Sequence, residues 1–303
     1  MDAISVVARR GGVVESRHLV HAVVVEKGLV VEYAGDPETA AFLRSAAKPF
    51  QALPLVRARH DVTTEELAIA SASHRAQPAQ LEAVRSLLAK APATEDELEC
   101  GTVGPGSGPT KLEHNCSGKH AGMLALCRVQ GWESDGYRLA GHPAQKACAA
   151  EIAAAAGVSE DELPTAVDGC GVVTFALTLE RMALLFARLE ERPGGAEVAA
   201  AMRAHPELIR GSGAPDTMLM QQLDGWTAKG GAEGLLCACG PGGLGLALKV
   251  SDGDGRAVGP ALAELLRRLG LEVRGLAVVE LANSRGERVG EVVSERPEVA
   301  RSG

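Results

Sequence analysis

Arg44-Ser45-Ala46-Ala47-Lys48-Pro49-Phe50-Gln51 sets a hydroxyl and an amine three residues apart at a predicted helix start. Positions i and i+3 share a helical face, so the Lys48 ammonium can approach the Ser45 oxygen. A serine hydroxyl needs a neighbour to take its proton, and a desolvated lysine with a lowered pKa is one such neighbour. Pro49 fits only a helix's first turn, which puts Ser45 near the N-terminus, where the helix dipole favours an oxyanion. The same Ser-x-x-Lys pattern also arises by chance as a capping serine beside a surface lysine, so the rest of the chain has to decide.

Upstream of this motif the chain is β-rich. Ile4-Ser5-Val6-Val7, His21-Ala22-Val23-Val24-Val25 and Leu29-Val30-Val31-Glu32-Tyr33 are separated by Gly11-Gly12 and Lys27-Gly28, and read as antiparallel strands joined by tight turns. From Phe50 to about Leu189 the pattern is helical and alanine-rich. Leu81, Val84, Leu87 and Leu88 mark one apolar stripe, Met123, Leu124 and Cys127 a second, and Phe175, Leu179, Met182, Phe186 and Leu189 a third. Further helices are predicted over Ala196 to His205, Asp216 to Leu223 and Pro260 to Leu269. Strands return past Gly234, at Leu235-Leu236-Cys237-Ala238, Gly245 to Val250, Leu276 to Glu280 and Arg288 to Val293. The expected architecture is α/β (α+β): one antiparallel sheet formed from both chain ends, residues 1–44 and 235–303, with a largely helical insertion over 45–234 and the site at their junction.

The 303 residues, 46% of them hydrophobic, suffice for a substantial core. A net charge of −8 without basic runs excludes nucleic acid as the main partner, and 3% aromatic residues leave few stacking platforms. Neither a secretory leader nor an apolar run of spanning length is evident, so a cytoplasmic location is expected. The seven cysteines, an odd number in a reducing compartment, read as thiols.

Five ordered segments together carry a resemblance. They are the opening motif, Ala72-Ser73-His74, His114-Asn115-Cys116-Ser117-Gly118-Lys119-His120-Ala121-Gly122-Met123, Val167-Asp168-Gly169-Cys170-Gly171 and Ala228-Lys229-Gly230-Gly231-Ala232-Glu233-Gly234. Over about residues 5 to 295 the chain resembles the asparaginase II family, the class 3 or Rhizobium etli type L-asparaginases. The resemblance implies a serine β-lactamase/glutaminase-like fold, hydrolysis of L-asparagine to L-aspartate and ammonia, two Ser-Lys pairs, a zinc site and a homodimer. Carried over by motif, Ser45 is the nucleophile beside Lys48, and Ser73 pairs with Lys249. Cys116, Lys119 and Cys170 correspond to the zinc ligands, and Cys237 is a further family cysteine beside the substrate. The family's longer Cys-Gly-Pro-His loop is replaced here by Cys100 to Gly108, without the histidine.

Other readings start from the residues themselves. A second amine near the first would lower the pKa of Lys48 by like-charge repulsion. Generic zinc chemistry points to His114, Cys116 and His120 instead, because a lysine must lose a proton to ligate. Asp168, in a glycine-flanked turn, is a candidate for the substrate α-ammonium, with a turn-capping aspartate as its structural alternative. Arg44 is a candidate for the α-carboxylate through two parallel hydrogen bonds, and His120 and His74 for polar contacts in the pocket. No organic cofactor is needed. Rival functions are a glutaminase, differing by one methylene of pocket depth, a β-lactamase or penicillin-binding-like hydrolase, whose Lys-Thr-Gly and Ser-Asp-Asn are absent, and a silent amino-acid or zinc-binding protein.

Overall fold

The β-branched runs form β1 (Ile4–Arg10), β2 (Val13–Glu26) and β3 (Leu29–Ala34) in a computed structural model that describes residues 1–102 and 109–295. The shortened loop at 100–108 falls largely outside the described residues. A short strand β4 (Ala40–Phe42) leads into a 3-10 turn over Arg44–Ala47, then α1 (Lys48–Gln51), α2 (Leu53–Ala58), α3 (Thr64–Ala70) and α4 (Pro78–Lys90). The helical region continues with α5 (Ser117–Gln130) and α6 (Pro143–Ala156), then β5 (Thr165–Val167) and β6 (Val173–Thr178), and α7 (Leu179–Ala187) to α10: α8 (Gly195–Ala204), α9 (Pro206–Ile209) and α10 (Pro215–Gln222). The chain ends with β7 (Thr227–Gly230), β8 (Leu235–Gly240), β9 (Leu244–Val250), α11 (Val258–Arg268), β10 (Val278–Ala282) and β11 (Arg288–Ser294).

An eight-stranded antiparallel sheet has the order β10-β11-β1-β2-β9-β8-β7, with β3 added on β2. The two chain ends meet where β1 pairs β11 and β2 pairs β9. This is the architecture expected from the sequence, an α/β fold whose sheet comes from both termini and whose middle is helical. The sheet, however, already begins at Thr227, because β7 pairs with β8 and places Lys229 opposite Cys237. The apolar stripe that begins at Phe175 is not a single helix. Val173 to Thr178 pair with β4 and β5, and the helix starts only at Leu179, where Thr178 accepts a hydrogen bond from the Arg181 N–H. β-branched Val173 and Thr174 beside Phe175 favour the strand, and the threonine cap then starts the helix.

The core fixes the opening motif against the sheet. Phe50 is fully buried and meets Phe186 of α7 edge to face at 5.4 Å between ring centroids. That helix packs on β2, β8 and β9. Leu43 donates its N–H to Phe175 O at 2.8 Å, so the segment entering the motif is held from two sides. The start of α5 is drawn equally tightly to the end of α3: a Cβ on Gly118 would lie 2.2 Å from Ile69 O, a contact only glycine allows. This approach brings Cys116 and Lys119 to the side of Ser73.

Candidate active site

The residue before Ser45 has an unusual backbone. Arg44 has φ of 48°, a left-handed conformation that costs a non-glycine residue ~1–2 kcal/mol. Two contacts hold it there: its N–H donates to Thr174 Oγ1 at 3.0 Å, and its Nε donates to Asp168 Oδ1. Asp168 is in turn set by a tight turn, with the Gly169 N–H on its Oδ1 at 2.8 Å and the Gly171 N–H on its backbone carbonyl at 2.8 Å. Burial alone would raise the Asp168 carboxyl, but the Lys119 ammonium and the Arg44 guanidinium hold it below the usual carboxylate range. Strain retained beside a pocket is a common sign of a functional position.

Ser45 lines a cavity of about 500 Å³ together with Arg44, Ser73, Cys116, Asp168 and Cys170. Beneath it, Ser73 Oγ is held between two buried amines, Lys48 Nζ at 3.0 Å and Lys229 Nζ at 2.8 Å. Lys48 also donates to Ala72 O, and Lys229 to Gly230 O at 2.7 Å. Both lysines are completely buried. Burial pushes both pKa values down; the nearby Cys116 resists this for Lys48 and Asp216 for Lys229, while neighbouring cations add to it. A neutral amine hydrogen-bonded to a serine hydroxyl is a proton acceptor in place. Depressions of about 690 and 890 Å³ elsewhere are larger, but their linings contain no Ser-Lys contact, so size does not identify the site.

Lys119 Nζ lies 2.9 Å from Cys170 Sγ, and Cys116 shares a hydrogen bond with the same sulfur. The Cys116 hydrogen bond lowers the Cys170 pKa against the opposing effect of burial, with the Lys119 charge assisting. Burial disfavours the Lys119 ammonium, yet the two sulfurs and Asp168 outweigh it and keep the proton on. Two thiols and one amine therefore converge; zinc takes thiolates, but Lys119 would join them only by giving up a proton that its neighbours hold in place. Among the described residues no group of three or more His, Cys, Asp or Glu is arranged to hold a metal, so a zinc site here depends on Lys119. His114 does not join the thiols: its Nδ1 accepts the Cys116 backbone N–H at 3.0 Å.

Several expected contacts are not made. Lys48 turns to Ser73 rather than Ser45, because its ammonium is satisfied across the α1–α3 junction instead of along its own helix. Lys249 does not reach Ser73; it donates to Val250 O on β9, in the row that pairs with Leu235 and His21, while Lys229 on the edge strand occupies the place beside the serine. Cys237 is fully buried in register with Lys229 and does not line the cavity. His120 is also fully buried. Tyr137 OH accepts the Glu99 N–H and so donates to His120 Nδ1 at 2.7 Å, which leaves His120 behind the cavity wall. His74 lines the cavity but is satisfied: Ser117 Oγ donates to Leu112 O, so His74 Nε2 donates to Ser117 Oγ at 2.8 Å, while its Nδ1 accepts the Ala76 N–H. Burial and the Lys48 charge push its pKa down to about 3, so it stays neutral. Arg44 reaches the cavity with its guanidinium already bound to Asp168. The lysine missed from sequence, Lys229, stands in a motif quoted above; its signal was a lysine followed directly by two glycines, Lys229-Gly230-Gly231.

A serine, two buried lysines and a charged cavity on this α/β scaffold are the apparatus of an amidohydrolase. The chain belongs to the L-asparaginase II family, whose model matches residues 6–294. Among curated proteins, none matches the sequence. Among solved structures the chain is similar to Mglu in its native form, with a TM-score of 0.51, 14% identity and coverage of 86% of this chain and 68% of that one. A second Mglu crystal structure gives a TM-score of 0.51 at 14% identity, covering 84% and 68%. At that identity the likeness shows the shared fold.

Proposed function

We propose that this amidohydrolase is an L-asparaginase that forms an acyl-enzyme on Ser45. Ser45 Oγ attacks the side-chain amide carbon, and its proton passes through Ser73 Oγ to a neutral lysine, Lys48 or Lys229. The lysine returns the proton to the departing nitrogen, which leaves as ammonia, and water then cleaves the β-aspartyl ester. The Ser45 N–H, in the first turn of the 3-10 segment, is the backbone donor for the oxyanion, since the Ala46 and Lys48 N–H groups are already bound to Leu43 O and Ser45 O. Asp168 receives the substrate α-ammonium. The observation that carries this reading is the Ser73 hydroxyl held by two buried amines in the wall of the cavity that Ser45 lines. Family membership supports asparagine as the substrate.

Zinc held by Cys116, Lys119 and Cys170 belongs to the same proposal. Bound there it would act as a Lewis acid and fix the part of the cavity wall that Cys116 and Cys170 line. A homodimer and a cytoplasmic location complete the reading; among the described residues no helix is long and apolar enough to cross a membrane.

One observation favours a second assignment of roles. Both lysines bond to Ser73 Oγ and neither bonds to Ser45, which suits Ser73 as the nucleophile. Acid quenching during turnover of L-asparagine, followed by peptide mass spectrometry, separates the two. A β-aspartyl adduct on the Ser45 peptide supports the first assignment, and one on the Ser73 peptide the second. No ammonia from L-asparagine with the purified protein would sink the asparaginase reading.

A further inference from the structure

Arg210 lines the same cavity but belongs to none of the five sequence motifs. It follows α9 directly, and Ile209 O accepts the Ser73 N–H at 2.8 Å, so its backbone is tied to that of the serine. Its guanidinium lies over Gly230 on β7: a Cβ there would sit 2.5 Å from Arg210 Nη1 and 3.2 Å from Asp216 Oδ2. A bare strand is needed for the guanidinium to rest beside Lys229, and its charge helps lower the Lys229 pKa after burial and against Asp216.

Among the described residues Arg210 is in no ion pair. Asp216, at the same corner, accepts the Gly230 N–H on Oδ2 at 2.9 Å and the Thr217 N–H on Oδ1 at 3.1 Å. Arg44 is bound to Asp168 on the Asp168 side of the cavity, and Arg75 is solvent-exposed. Of the charged side chains that line the cavity, Arg75 and Glu233 are exposed and Arg44 and Asp168 are bound to each other, which leaves the half-buried Arg210 guanidinium beside Lys229, with the Asp168 carboxylate beside Arg44. An α-amino acid presents the complementary pair, a carboxylate and an ammonium on one carbon.

We infer that Arg210 is the anchor for the substrate α-carboxylate, a role that sequence reading gave to Arg44. The inference rests on the asparaginase reading and narrows it. The substrate class is the free α-amino acid with a side-chain amide, and asparagine blocked at its α-carboxyl is excluded, because the guanidinium would then face a neutral amide.

Steady-state kinetics on L-asparagine and L-asparaginamide test this. The wild type favours L-asparagine; Arg210→Gln raises KM for L-asparagine by about tenfold or more with a smaller change in kcat, and the preference over the α-amide collapses. Arg210→Lys keeps a cation near Asp216 but loses the two-pronged fork, so it raises KM at an unchanged Tm. An unchanged KM, or a preference that survives in both variants, overturns the inference. Calorimetry of L-asparagine binding to Ser45→Ala, with and without Arg210→Lys, judges it without turnover: weaker binding with the lysine supports it, and equal binding overturns it. Binding without any wild-type turnover sinks the asparaginase reading alone, whereas no binding sinks both.

Discussion

Lys48 and Lys229, 181 positions apart in sequence and one in α1, the other in β7, both donate to Ser73 Oγ. A helix from the inserted region and a strand from the sheet edge thus meet on one hydroxyl. Two ammonium groups cannot share so small a buried space without severe repulsion and desolvation, so at least one amine is neutral when the enzyme works.

In the proposed mechanism a lysine must lose its proton before the serine attacks. The acidic limb of kcat/KM against pH should rise as that proton leaves, with its midpoint below the ordinary lysine value of 10.5. A pH-rate profile with L-asparagine checks this. A profile flat from acid to pH 10 would show that neither lysine titrates in the rate-determining step.

Replacing Lys229 separates stability from activity. Lys229→Met should lower kcat by about 100-fold or more, from the loss of an acid-base partner, and raise Tm by a few degrees near neutral pH by removing the cost of burying an amine. The sign follows from linkage. Burial lowers the folded-state pKa, so the unfolded chain binds more protons, and wild-type stability rises with pH until the unfolded lysine also deprotonates. The Tm advantage of the variant should therefore shrink toward high pH. Thermal melts at neutral and alkaline pH, paired with ammonia assays, measure both effects.

Lys249 supplies the contrast. Its ammonium is bound to the Val250 carbonyl away from Ser73, so Lys249→Met should keep kcat within about threefold, as an ordinary substitution outside the site does. Parallel assays of the two lysine variants decide between the lysine named from the sequence and the one found beside the serine.

The Arg44–Asp168 pair should matter for both shape and binding. Asp168→Asn removes a carboxylate held below its usual pKa and frees an arginine in a left-handed backbone. We expect a KM for L-asparagine higher by about tenfold and a stability loss of about 1–3 kcal/mol. Kinetics and denaturant unfolding report these separately; a shift in stability with KM unchanged would make the pair structural only.

Zinc binding, if the proposal holds, must displace protons from the Cys116 thiol and the Lys119 ammonium, both of which hold them above their usual values. Affinity should therefore rise with pH, and Cys116→Ser and Cys170→Ser should each lose the metal. Elemental analysis of the purified protein and its variants, with chelator competition at two pH values, tests this. Metal retained by both variants would place it elsewhere.

The sequence by itself determined the strands at each end, the helical middle and the segments that meet at the site. Periodicity and turn residues are local signals, and the five motifs kept their order. It also picked out Ser45, Ser73, Asp168, Cys116 and Cys170, all of which line one cavity. It did not determine which amine faces which hydroxyl. Lys249 and Lys229 are both lysines in strands, and which of them meets Ser73 follows from strand order at the sheet edge, while Lys48 of α1 reaches the residues just after α3. His120 and Cys237 fall in the right segments yet face inward, because burial of a face depends on what packs against it. Only the tertiary structure set these relations, since they depend on long-range packing, and no local pattern in a single chain encodes which distant side chain will share a hydrogen bond.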